Sequence, residues 1–388
     1  MLPVWKDPVI FAGPGILVSR VAEGVLPAAL YARRRRRIDA DDAWVYDPET
    51  TNAGERERHA GLDFDFDCAT IGPDEMGRYP LTAHFRSFFR RLNPGKTFED
   101  VAAREYGSIK SLMENPAGRA SELAPYCFLQ GSYKQDTAIY TINDVDIVCL
   151  CNLWFPGSGG SGGGRSWSRD EMFDTVAAPL RADARYRDKL RYNTGSMCIK
   201  VQIQIDVEIL PVVYKAGTYD RSAEPFALYR PERDQWEDGY ARYHQHYLSR
   251  KNEPGRTASN FVPAIKVFKH LRSRFGLDAV SFHVECLLYN LRDGLFSGGP
   301  ADYIPSLLSA IAAHGPEAWY RSEVRTPCQE RDIFTSEEWG YASWRKFHEA
   351  VVVWNKAAIL ASAATQEGDA IAAWQTLFGQ DFFPETVA

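Results

Sequence analysis

No apolar run in this 388-residue sequence approaches the roughly 20 residues that cross a bilayer as a helix. Its start also lacks the charged, apolar and small-residue succession of a secretory leader, so the expectation is a cytoplasmic protein with no membrane partner. Cysteine occurs only seven times and never as C-x-x-C, which removes zinc-ribbon and dithiol-redox readings. Cys127, Cys149, Cys151 and Cys198 stand in apolar, strand-like runs and read as small buried hydrophobes. An odd count speaks against a disulfide framework. Positive charge is not in excess either. The net charge of −6 gives no strong nucleic-acid signal, although Arg250, Lys251, Arg256, Lys266, Lys269, Arg272 and Arg274 make one segment locally cationic. The glycine-rich run 157–164 has no Gly-Lys-Ser/Thr ending and reads as a flexible loop, not a P-loop. His244-Gln-His246 has no third ligand at a metal-binding spacing.

What is present is the balance of a globular protein, 45% apolar and 25% charged residues, enough for one catalytic unit of two packed lobes plus an N-terminal appendage. Residues 1–75 carry the run Arg33 to Arg37 and then an acidic, turn-rich stretch, and read as a poorly packed extension. Leu81 to Leu92 suggests a short helix. Thr97-Phe-Glu-Asp100 resembles a capping box opening a longer one, with Val101, Tyr106, Ile109 and Leu112–Met113 at helical spacing. Strand-type runs follow at Tyr126–Gln130, Ala138–Ile142 and Val145–Cys151, then a helix near 168–180. Met197–Val213 reads as one long strand with Cys198, Lys200, Gln202, Gln204, Asp206 and Glu208 on one face. Helical spacing then runs over about 257–275, 281–292, 301–314 and 335–378. The fold class is α/β (α+β): a mixed-sheet lobe over 76–235 and a mostly helical lobe over 236–388, with the site in the cleft between them.

The chemistry concentrates in Leu129-Gln-Gly131-Ser132, followed twelve residues later by Asp144-Val-Asp146. A strand running into Gly-Ser lets the backbone approach a phosphate while the hydroxyl and nearby N–H groups donate to it. Asp144 and Asp146, two apart in a strand, share a face. Two such carboxylates suit a pair of divalent ions, one activating an attacking hydroxyl and the other clamping a triphosphate. A third carboxylate is expected from a neighbouring strand. Glu208, before Ile-Leu-Pro211, is the first candidate and Asp206 the rival.

These motifs resemble the cGAS/DncV-like nucleotidyltransferases, bacterial enzymes of the polymerase-β-like superfamily that make cyclic di- or trinucleotides in anti-phage defence. The resemblance covers roughly residues 98–383, including Asn260–Asn290 and the closing Ala-Ala-Trp374-Gln-Thr-Leu-Phe378-Gly379. It implies two Mg²⁺ ions, with Mn²⁺ as an alternative, on Asp144, Asp146 and Glu208, the last standing where relatives often carry Asp. It further implies that Gly131, Ser132, Lys269 and Ser281 position the triphosphate and that Phe282 stacks a base. NTPs would be the substrates, and a downstream effector would bind the product. Plainer readings stay open: Lys266, Lys269 and Arg272 as a solvated cationic face, Ser281 as an N-cap, Phe282 as core. Two other functions use the same motifs, namely template-independent tailing of RNA or tRNA ends and an inactive nucleotide-binding regulator.

Overall fold

The computed structural model describes residues 79–154, 158–159, 167–215 and 224–387, all within one compact unit, Asp67–Ala388. The expected extension 1–75 and most of the glycine-rich run lie outside the described residues. The chain opens with α1 (Thr82–Leu92) and α2 (Lys96–Met113), then β1 (Tyr126–Gln130), the single-turn α3 (Gly131–Lys134), β2 (Asp144–Trp154) and the short β3 (Ser158–Gly159). Next come α4 (Arg169–Ala182), β4 (Leu190–Arg191), β5 (Ile199–Gln202), β6 (Asp206–Tyr214), β7 (Phe226–Arg230) and β8 (Gln235–Gly239). Helices complete it: α5 (Ala241–Lys251), α6 (Pro254–Thr257), α7 (Phe261–Arg274), α8 (Ser281–Tyr289), α9 (Pro300–Ala312), α10 (Pro316–Arg321), α11 (Tyr341–Ala363) and α12 (Glu367–Phe378).

The sheet runs β1-β2-β6-β5-β4, with β3 beside β2 and the β7–β8 hairpin continuing from the far half of β6. Its centre is parallel: β2 and β6 pair residue for residue from Asp144↔Asp206 to Cys151↔Val213. Alternation decides what each face does. Val145, Ile147, Cys149, Val207 and Ile209 face a large apolar core that α2 fills with Val101, Ile109 and Met113, and α4 with Met172, Phe173 and Val176. On the opposite face, Val148, Leu150, Leu210 and Val212 join Phe128 and Phe226 in a smaller cluster. That face gives way to acids where β2 and β6 begin. The helix α4 is fixed at its start by a capping box, Ser168 accepting from Glu171 N while the Glu171 carboxylate accepts from Ser168 N.

Several expectations change. Met197–Val213 is not one strand but a hairpin, β5 and β6 turning through 203–205 with Lys200 opposite Glu208 and Gln202 opposite Asp206. Ala138–Ile142 is irregular, although Ala138 and Ile139 are buried, and its Tyr140 N donates to Leu92 O at 2.7 Å. Thr97 is inside α2, whose N-cap is Gly95 with no side-chain cap. The span 335–378 holds two helices parted at Ala364–Gln366. Strand β8 carries the sheet to Gly239, past the expected boundary at 235. In the other direction, Phe85 and Phe88 of α1 pack against Trp374, Phe378 and Phe383, so this early helix joins the C-terminal end of the chain. No described helix is long and apolar enough to cross a membrane.

Candidate active site

Strand β1 is antiparallel to β2 with Gln130 opposite Asp146. The chain leaves β1 through Gly131, whose φ of +71° is the left-handed conformation that glycine tolerates and other residues resist. A Cβ placed there would stand 1.9 Å from Asp146 Oδ2, so the Asp146 carboxylate lies directly against the Gly131 backbone. Two motifs separated in sequence thus meet at one point. Asp144 and Asp146 share a face of β2, and the parallel register sets Asp206 and Glu208 beside them on β6. Gly131→Ala, which must both strain the turn and displace Asp146, is expected to lower turnover about 100-fold, as misplacements near 1 Å do. Steady-state rates, with a thermal melt to show a folded variant, check this.

The four acids crowd one another. Burial first, then the Asp144 and Glu208 charges, push Asp146 up to about 7. Burial and Glu208 likewise raise Asp144. Glu208 is turned aside: its Oε1 lies 2.5 Å from the half-exposed Lys200 ammonium, and its Oε2 accepts from Cys198 Sγ at 3.5 Å. Among the described residues, no three His, Cys, Asp or Glu side chains are grouped to hold a metal ion as they stand. The donor set nevertheless fits a hard divalent cation. It is all carboxylate oxygen, and the Asp144 and Glu208 charges that add to burial in raising Asp146 are ones a cation would offset.

Three lysines of the helical part, Lys251, Lys266 and Lys269, are buried. Lys269 is 2% exposed; its ammonium donates to Thr137 O at 3.2 Å, Thr137 Oγ1 at 2.9 Å and Glu285 Oε1 at 2.6 Å. All three contacts of this ammonium are therefore within the protein, on Thr137 and Glu285, so Lys269 does not stand on a solvated face. The solvated-face reading fails for its neighbours too. Lys266 is buried on Asn93 and Asp136, and Arg272 is partly buried on Ala279 O and Ser281 Oγ. Lys251 is also buried, on Leu291 O and Asp293, so the cationic segment 250–274 is largely spent on internal partners. Ser281 is the first residue of α8 and not its cap, which is Val280. The Phe282 ring is partly buried, tilted 5.0 Å from His244 with the Arg331 guanidinium 5.5 Å from its centroid.

Three contributors escaped the sequence reading: Thr137, Glu285 and Lys200 as a partner of Glu208. Thr137 lies within the same Gly-Ser segment. Glu285 is a lone acid among apolar neighbours in His283-Val-Glu-Cys-Leu-Leu288, and such an acid is rarely buried unless paired.

The family model matching residues 80–252 is that of the Second Messenger Oligonucleotide or Dinucleotide Synthetase domain. A curated relative, the cyclic UMP-AMP synthase of Rhodothermus marinus, is 26% identical over 274 residues, spanning 64% of this chain and 89% of that protein. The solved structure of R. marinus CdnE c-UMP-AMP synthase with Apcpp and Upnpp is similar at a TM-score of 0.56 and 21% identity, covering 72% of this chain and 97% of the other. That of E. coli MS115-1 CdnC with ATP gives 0.60 and 16%, covering 78% and 98%. The likeness to both structures shows a shared fold with the sheet and the helical part together.

Proposed function

We propose that the chain is a cyclic oligonucleotide synthase of the cGAS/DncV-like nucleotidyltransferases, joining NTPs into a cyclic di- or trinucleotide with release of pyrophosphate; the matching domain family and the similar cyclic UMP-AMP synthase support this reading. The observation that carries this is the meeting of the Gly131 turn with Asp146, itself paired in register with Glu208. In each step a ribose hydroxyl oxygen bonds to the α-phosphorus of a second nucleotide. The bond from that phosphorus to the bridging oxygen breaks, pyrophosphate departs with the electron pair, and the hydroxyl proton passes to solvent. A final intramolecular step closes the ring. Two Mg²⁺ ions, or Mn²⁺, held by Asp144, Asp146 and Glu208 would supply Lewis-acid charge for the hydroxyl and the leaving group.

The protein's own part is positioning. The Gly131–Ser132 turn offers backbone N–H groups and a hydroxyl to the triphosphate beside the acids. Ser281 and Phe282 open α8, where they would meet phosphate and base. The product would act as a second messenger in anti-phage signalling, read in the cytoplasm by an effector that binds it. Among the described residues, Lys251, Lys266 and Lys269 are taken up by internal partners and offer little to a polynucleotide. Incubation with all four NTPs and Mg²⁺, followed by phosphatase and mass spectrometry, tests the reading. A phosphatase-resistant cyclic product is expected; lengthened RNA, or no product from the folded protein, would overturn it.

A further inference from the structure

Glu285 sits in α8 with only 4% of its surface exposed, and a carboxylate so buried is costly unless paired. Its Oε1 accepts from Lys269 Nζ at 2.6 Å and from Thr137 Oγ1 at 2.8 Å, and its Oε2 lies 3.4 Å from His244 Nε2. Burial alone would raise this carboxyl, but the Lys269 charge and the His244 contact prevail and hold it at about 2. It is therefore ionised at neutral pH. Lys269 of α7 and Glu285 of α8 both bond to Thr137, a single residue of the segment that joins α3 to β2, while His244 of α5 reaches the other oxygen of Glu285.

Thr137 leads back to the active site. Its N–H and that of Ala138 both donate to Ser132 O, at 3.0 and 3.1 Å. The bonds therefore run without a gap from a buried carboxylate of the helical part, through Thr137, to the turn whose glycine lies against Asp146. An apolar cluster would pack these helices at least as well, since replacing a buried ion pair by well-packed apolar groups is often neutral or stabilising. It would not fix the orientation of the Thr137 backbone, whereas the hydroxyl and carbonyl of Thr137 are each held by a named donor or acceptor.

We propose that Glu285 is a positioning residue for nucleotide binding, fixing the Gly131–Ser132 turn through Lys269 and Thr137. The inference rests on the reading of that turn as the triphosphate site. It assigns the buried lysine a role as well: Lys269 braces the turn from behind. The experiment titrates α,β-methylene ATP with Mg²⁺ by calorimetry into the full chain and the variants S132A, E285Q, T137V and T137V/E285Q, with a thermal melt of each.

Ser132→Ala, which tests only the turn, is expected to weaken binding about tenfold. Glu285→Gln should weaken it by about tenfold and Thr137→Val by about threefold. The double variant should be no worse than Glu285→Gln, because links of one chain are not additive. In turnover the loss should appear in KM, with kcat at saturating NTP within about threefold of the parent. If Glu285→Gln does not fold, Thr137→Val decides, since it keeps the Lys269–Glu285 pair. Variants of Glu285 or Thr137 that melt earlier yet bind the analogue as tightly as the parent would overturn the proposal while leaving the turn intact as a site. Undiminished binding by Ser132→Ala would instead remove the reading on which it rests.

Discussion

Asp146→Asn is expected to abolish product formation and, without divalent ions, to make the protein more stable at neutral pH. Asparagine keeps the shape beside Gly131 but removes the charge that burial, Asp144 and Glu208 oppose. The sign follows from linkage. The folded carboxyl titrates near 7 and the unfolded one near its ordinary 3.8, so between those values the folded state holds the extra proton. The parent protein therefore loses stability as pH rises through that window, up to about 4 kcal/mol before neighbouring charges relax. The variant has no such loss. Melting temperatures from pH 4.5 to 8.5 in a chelator should coincide at the acid end and separate by roughly 5 °C above pH 7. A constant separation, or a variant that still makes product, would remove Asp146 from the role given to it.

Glu208→Gln should lower turnover by roughly 1000-fold, whereas Asp206→Asn should cost about tenfold. Both acids lie on β6 and share a face, but they have different neighbours across the parallel pair. Glu208 stands beside Asp146, which lies against the Gly131 turn; Asp206 stands beside Asp144, and its own N–H donates to Asn143 O. Glu208→Asp should keep measurable activity, since the ligand chemistry is the same with a shorter reach. Steady-state rates of the three variants, each shown to be folded, decide between the carboxylates. If Asp206→Asn were the dead variant and Glu208→Gln the active one, the third ligand would move two residues toward the start of β6.

The sequence made the strands and helices that matter most legible, for reasons tied to particular residues. Asp144-Val-Asp146 followed by an apolar run can only alternate acid and core at a strand's start, and β2 begins at Asp144. The hairpin within Met197–Val213 was hidden because its turn, Ile203-Gln-Ile205, contains neither Gly nor Pro. Gln202 opposes Asp206, so the alternation keeps its parity through the turn and imitates one strand. Ala138–Ile142 misled for a related reason: apolar spacing reports burial, and a buried loop satisfied by Leu92 O looks the same as a strand. The inward turn of Lys269 was not readable either. Helical spacing gives the face of a side chain but not the buried acid waiting on α8.

The parallel pairing of β2 with β6 carries a consequence for how this chain finds its fold. Side chains alternate with a period of two, so sliding β6 by one residue along β2 would exchange its faces. Asp206 and Glu208 would then point into the layer beneath α2 and α4, among Val101, Ile109, Met172 and Phe173, while Val207 and Ile209 turned out to water. Ionised carboxylates without partners in such a layer cost several kcal/mol each. The misaligned sheet is therefore rejected by the same acids that would do the chemistry. A chain whose acids had been exchanged for valine or leucine would lose this discrimination along with its activity, and would have two competing alignments where the present sequence has one.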